Sequence, residues 1–345
     1  MLATHFKGQE CAAVVKADAY GLGALPIAQA LEAAGCHTFF VATLPEAIAL
    51  RNTLPDVRIL VLHGVGQGEE FAFTAHRLIP VLNSEAQLAR WIPVARDHIH
   101  AVSALHLDTA MGRMGLEPEA FTALLARTPT VLAEARVSLL MSHLACASEP
   151  QHPSNAAQLA LFQTVCQQAP GIPASLCNSS GIFLPRDYHF HLARPGCALY
   201  GIQPNPQKPD ARLAHVATWH APILMTRTLT RTQAVGYVAT QTLPQGTRIT
   251  TVASGYADGY LRLLSGRAVG YVGSHRVPLV GRVTMDMLCF DVSDVPEPLL
   301  TEGAPLTLLG DQDGIRVDDL ADATETIGYE ILSRIGPRVH RLYAE

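Results

Sequence analysis

A chain of 345 residues, 48% of them hydrophobic, can bury more than one small core, so a large domain with a smaller companion is expected. A formal net charge of −5, with no basic run interleaved with aromatics, speaks against a nucleic-acid surface, and no apolar run reaches membrane-spanning length. The 7 scattered cysteines lack a CxxC pair and "MLATHFKGQE" lacks the apolar core of a signal peptide; both predict a cytoplasmic protein with reduced thiols.

Short apolar runs alternate with helical patterns through the first part of the chain. The strand-like runs are "CAAVVKA", "TFFVAT", "VRILVLHG", "RLIPVLN", "ALHLDT", "ARVSLLMSHLA", "ASLCNSS" and "HFHLARPG". Helical stretches such as "LPIAQALEAAG", "LPEAIALRN" and "HPSNAAQLALFQTVCQQA" lie between them; Pro26, Pro118 and Pro153 stand near helix starts and Ser84 can cap another. This alternation predicts parallel strands joined by helical crossovers, an α/β fold of the (β/α)8 TIM-like barrel type, over residues 1–214. Past the proline-rich linker "PNPQKPD" the pattern changes to short strands between glycine and proline turns, until "VDDLADATETIGYEILSRI" reads as helix. Residues 215–345 are therefore expected to form a C-terminal all-β domain.

Lysine is rare: only Lys7, Lys16 and Lys208 occur. Lys16 interrupts a small apolar run at the end of the first strand, where a parallel barrel carries its chemistry. Partial burial there lowers an amine's pKa and favours Schiff-base formation. "AVVKADAYGLG", "HLDTAMGRMG", "CNSSG", "ARPGCALYG", "SGYADGY", "GRVTMDM" and "YEILSRIGPRVHRLY" follow in the order and spacing of an alanine racemase, and the chain resembles that family over nearly its whole length.

The resemblance implies a pyridoxal 5'-phosphate enzyme of two domains, a head-to-tail homodimer whose active sites are shared between subunits. It implies that Lys16 holds the cofactor as a Schiff base and is one of two bases, the other being Tyr237 of the opposite subunit. Tyr20, Asn178, Ser179, Tyr329 and the backbone amides of Gly196 and Cys197 would hold the cofactor's phosphate side; Arg194 would face the pyridine nitrogen, with His143 beside the ring. Arg113 and the Met285 amide would meet the substrate carboxylate, and Tyr256 would line the entrance.

The residue types suit the chemistry. Racemisation removes a proton from one face of the α-carbon and returns it on the other, so two bases must flank it. Lysine and tyrosine share a reference pKa near roughly 10, which leaves neither direction strongly favoured. An arginine does not give up its proton, so it keeps a facing pyridine nitrogen unprotonated and restrains side reactions.

Two departures from the family pattern carry expectations. Family members usually carry an additional strand and most of a helix before "VVKA", whereas here Lys16 comes almost at once; a misplaced start, a trimmed start and a rebuilt domain edge with unpaired backbone groups are the three readings of this. His106 stands where many members have a carbamylated lysine that positions the arginine of "MGR", so Arg113 is expected to be held by a bound anion such as chloride, or by another acceptor. Val238 stands where glycine is usual, and Asp18 and Leu22 replace the usual asparagine and histidine. No metal set is expected from His189 and His191, "DQDG" at Asp311 reads as a turn, and "GVGQGEE" lacks a dinucleotide fingerprint. A racemase of broader specificity (serine or basic amino acids) and a non-catalytic pyridoxal-phosphate-binding protein are the alternatives.

Overall fold

The computed structural model describes residues 1–210 and 212–344. The chain separates into two compact units: residues 1–19, 23–199 and 203–213, and residues 20–22, 200–202 and 214–345.

In the first unit, β2 (Ala13–Val14), β3 (Thr38–Val41), β4 (Arg58–Val61), β5 (Ile79–Leu82), β6 (Ser103–His106), β7 (Val137–Met141) and β8 (Ala174–Ser175) form one parallel sheet in chain order. A parallel pair, β1 (Glu10–Cys11) and β9 (Leu192–Ala193), completes the ring. The Ala12 and Val14 amides donate to Ala193 and Pro195 oxygens, and the Arg194 amide to the Cys177 oxygen, at 2.9 Å each. The chain thus supplies the eight strand positions expected from its alternating pattern. Phe40, Leu60, Val81, Ala104 and Leu139 pack in the ring's interior, each fully buried side chain worth about 1.5–3 kcal/mol of transfer free energy where it is large.

The crossover helices begin as their sequences predict. Ser84 Oγ accepts from the Gln87 amide at 3.2 Å, and Pro118 and Pro153 open helices Pro118–Arg127 and Pro153–Gln168. Helix Leu44–Thr53 opens with a reciprocal capping box between Thr43 and Glu46.

In the second unit a closed barrel runs in the order β10 (Trp219–Thr228), β13 (Arg248–Ala253), β16 (Met287–Asp291), β15 (His275–Val280), β14 (Val269–Val272), β17 (Pro305–Leu309). β11 (Gln233–Val235) and β12 (Gln241–Leu243) form a separate hairpin. Of the three readings of the short start, the one with an unpaired domain edge does not describe this barrel: six antiparallel strands close on themselves, which leaves the barrel no edge. The single long helix expected at 317–335 is two, Val317–Ala323 and Gly328–Ser333. Glu325 at φ 56° breaks it, and the Thr324 hydroxyl donates back to the Leu320 oxygen at 2.8 Å.

Candidate active site

Lys16 follows β2, and the backbone after it turns the unusual way. Ala17, Asp18, Ala19 and Tyr20 have φ of 52°, 54°, 51° and 57°, a left-handed turn without a glycine. Each such residue costs roughly 1–2 kcal/mol, so the turn persists only because neighbours hold it. Asp18 Oδ1 accepts from the Ala24 amide at 2.7 Å and its carbonyl from the Gly23 amide at 2.9 Å. Asp18 thus serves the turn, an aspartate being among the few residues that tolerate this conformation. The Lys16 amine is half-buried; burial first, then the nearby Arg113 charge, push it below the ordinary lysine range, and Glu46 opposes them.

Arg194, just after β9, is the most deeply buried charge of the site. Its guanidinium donates to the Ser175 hydroxyl and, at 2.5 Å, to the Ser142 carbonyl oxygen. The Ser175 hydroxyl itself donates to the Leu192 oxygen at 2.6 Å, which fixes its lone pair toward the arginine. Among the described residues no carboxylate lies within ion-pair distance of Arg194, and burial draws its pKa down to about 10. Neutral partners leave guanidinium N–H groups able to donate to an acceptor such as an unprotonated pyridine nitrogen. They offer nothing to a protonated one.

Two imidazoles lie within reach of this charge. His143, two residues past β7, has its pKa pushed down to about 3, by burial and then by Arg194. Buried His106 ends β6, and its Nδ1 is 2.8 Å from Asn83 Oδ1. The Asn83 amide nitrogen donates to the Leu62 and Val81 oxygens, so Oδ1 must accept and His106 carries its proton on Nδ1. Burial and then Arg194 push its pKa down to about 4, so it is neutral and supplies no negative charge to Arg113. An unfolded histidine titrates near roughly 6.5 and therefore binds its proton first as pH falls. The stability that neutral His106 contributes is complete above about 6.5 and is lost as pH falls toward about 4, at most on the order of 3 kcal/mol. A His106→Gln variant, which keeps a donor for Asn83, is expected to show a shallower acid decline in thermal midpoint across that window.

Asp108 receives the Met111 amide at 2.7 Å and the Arg113 amide at 3.1 Å, shaping the loop that carries the exposed Arg113 side chain. That guanidinium has no ion pair among the described residues. Ser179, buried, accepts from the Gly196 amide at 2.9 Å and the Ala198 amide at 3.3 Å, which leaves its hydroxyl proton for an acceptor outside this pair of bonds. Cys197 is buried in the short turn that follows. Asn178 spends its side chain locally, accepting from the Gly181 amide at 2.9 Å and donating to the Leu144 oxygen at 3.3 Å. His189 and His191 likewise take backbone partners, accepting from the Lys7 and Ala174 amides at 2.9 and 3.0 Å.

The second unit gathers its own group. The Tyr20 ring lies 4.6 Å from that of Tyr200 and 5.7 Å from that of Tyr329. Arg341 donates to the Gly21 oxygen through Nε and Nη2 at 2.9 and 2.7 Å, and the Tyr343 hydroxyl to the Leu22 oxygen at 3.0 Å. Tyr256 and Met285 are brought together by main-chain bonds: the Tyr256 and Ala257 amides donate to the Thr284 and Met285 oxygens at 3.0 Å each. Gly255 permits this, because a Cβ there would lie 2.3 Å from the Met285 oxygen. Arg338 joins the two segments by pairing with Asp258 at 3.1 Å and Asp286 at 2.7 Å.

Tyr237 is 71% exposed, in the turn that joins β11 to β12. The next residue, Val238, has φ 64°, a strained position for a β-branched side chain. Val238→Gly is expected to raise stability by about 1 kcal/mol, read as a higher thermal midpoint.

The chain matches the family description "Alanine racemase, N-terminal domain" over residues 1–204 and "Alanine racemase, C-terminal domain" over residues 216–343. The chain belongs to the alanine racemase family. It is 48% identical to an alanine racemase of Rhodospirillum rubrum over 97% of this chain and 89% of that one, and 44% identical to one of Rhizobium meliloti over 96% and 89%. A solved structure of alanine racemase from Bartonella henselae, with covalently bound pyridoxal phosphate, superposes with a TM-score of 0.92 at 36% identity, covering 99% of this chain and 95% of that one. Against the alanine racemase motifs, sequence reasoning missed Glu46, Asp258, Arg338 and Arg341, which act on main-chain groups or on one another. Asp258 lies inside the recognised "SGYADGY", and Arg338 and Arg341 inside "YEILSRIGPRVHRLY", where only Tyr256 and Tyr329 drew attention.

Proposed function

We propose that this protein is an alanine racemase dependent on pyridoxal 5'-phosphate, interconverting L- and D-alanine by two bases and supplying D-alanine for peptidoglycan in the cytoplasm. The observation that carries the reading is Arg194, a fully buried guanidinium with only neutral partners, in a chain that matches the family from end to end. The cofactor, when bound, withdraws electrons from the α-carbon and makes its proton removable. Lys16 binds the cofactor, and its Nζ takes or returns the α-proton on one face; its lowered pKa suits a base working near neutrality. The Tyr237 phenol of a second copy serves the other face. Ser179, Tyr20, Tyr329 and the Gly196 and Cys197 amides are the groups assigned to the phosphate, with Asn178 shaping the loop. His143, kept neutral, would lie beside the cofactor's ring, and Arg194 would donate to the pyridine nitrogen without protonating it.

A homodimer with shared sites is supported by the exposure of Tyr237 (71%), Val238 (75%) and Met285 (52%), apolar groups that a partner surface would cover. Arg113 and the Met285 amide bind the substrate carboxylate, and Tyr256 limits side-chain size. Because His106 is neutral and Arg113 lacks an ion pair among the described residues, an anion such as chloride near Arg113 completes its setting. The absence of any helix long and apolar enough to cross a membrane, among the described residues, accords with the location.

Incubation with L-alanine in heavy water, followed by chiral separation and mass detection, tests the function. D-alanine carrying deuterium at the α-carbon is the expected product. Cofactor binding without any exchange on alanine would instead favour a broader racemase or a non-catalytic binding protein.

A further inference from the structure

Four successive left-handed residues directly after Lys16 need a restraint, and one side chain outside the recognised motifs provides it. Glu46 is the third residue of helix Leu44–Thr53, half-buried, with its carboxylate turned back over the helix start. One oxygen, Oε1, accepts from the Ala17 amide at 2.8 Å. The other, Oε2, accepts from the Ala42 amide at 2.8 Å and the Thr43 amide at 3.1 Å. Three main-chain donors from two separate segments thus converge on one carboxylate.

The Ala17 amide belongs to the peptide that leaves Lys16. On the other side of the lysine, the Val15 amide donates to the Phe40 oxygen at 2.9 Å. The peptide group before Val15 and the one after Lys16 are therefore both anchored to the strand–helix unit of residues 38–53, which limits the directions the Lys16 side chain can take. We propose that Glu46 is a positioning residue for Lys16: its carboxylate bridges the left-handed turn to the start of the neighbouring helix and so aims the amine. The inference rests on Lys16 being the cofactor lysine.

An amide cannot replace this carboxylate. Glutamine has one acceptor; whichever segment that oxygen serves, its NH2 group then faces an N–H of the other. Charge matters as well. Arg113 and the imidazole of His143 also face the lysine, and of the three only Glu46 carries negative charge, favouring the protonated amine.

The test uses purified holoenzymes, wild type, Glu46→Gln and Glu46→Asp. Glu46→Asp keeps the charge but withdraws it by one methylene, too short to span both segments. Borohydride reduction and peptide mass mapping first locate the cofactor, with only Lys7, Lys16 and Lys208 available. Visible absorbance against pH, together with kcat and KM for alanine, follows. Expected are a cofactor mass on the Lys16 peptide, kcat reduced by about tenfold or more in both variants, and KM changed by less than about threefold. The absorbance titration of the lysine linkage is expected to move to lower pH in Glu46→Gln only. A merely structural role would lower the thermal midpoint and leave kcat per bound cofactor and the titration where they were, and that result overturns the proposal alone. Cofactor mass on Lys7 or Lys208 overturns both the proposal and the assignment of Lys16. If Glu46→Gln does not fold, the kcat of Glu46→Asp decides.

Discussion

Lys16→Ala is expected to lower alanine racemisation by about a thousandfold or more, while the protein folds and still takes up some cofactor without a covalent link. The substitution removes a base on one face and the amine that holds the cofactor, and it leaves the hydrogen bonds of the turn intact, since these run through the Ala17 amide and Asp18 rather than the lysine side chain. Borohydride should then fail to fix cofactor to the chain, and thermal stability should change little. Retention of racemisation within about tenfold of wild type would exclude Lys16 as a base.

Tyr237→Phe is expected to reduce racemisation on a similar scale, but with a different signature. Lys16 remains, so one enantiomer of alanine should continue to exchange its α-proton with heavy water without inverting. Because Tyr237 is exposed on its own chain, the informative experiment mixes the two inactive variants. If each site takes Lys16 from one subunit and Tyr237 from the other, a mixed dimer contains one intact site and one doubly damaged site. Random reassociation should then restore about a quarter of wild-type activity, half the dimers having one of two sites intact. If both bases came from the same chain, mixing would restore nothing, since every site would keep one lesion.

The barrel order was legible because its strands are continuous apolar runs punctuated by proline and serine helix starts, signals that are local and strong. Arg194 and Tyr237 stood out only through ordered motifs; the scarcity of lysine drew attention to Lys16, but nothing in "AVVKA" by itself distinguishes a base from a solvated lysine. The left-handed turn was invisible, since alanine has no preference for that conformation and the restraint comes from Glu46, 29 residues away. The break at Glu325 was missed for a similar reason: the helical pattern runs on, and a hydroxyl-to-backbone bond decides against it. Closure of the β barrel depends on β10 meeting β17, a pairing between distant segments that no local pattern announces.

The bonds from Arg341 to the Gly21 oxygen and from Tyr343 to the Leu22 oxygen span 320 and 321 residues. During synthesis, the main chain just past Lys16 must therefore wait for partners made more than 300 positions later. The stretch running up to Lys16 can settle once residues 192–195 have been made, but its continuation through Tyr20 acquires its last anchors only after Arg341 has emerged. A chain cut short before Arg341 would leave the Gly21 carbonyl without these donors, so the translating ribosome cannot release a finished site ahead of the residues that clamp it.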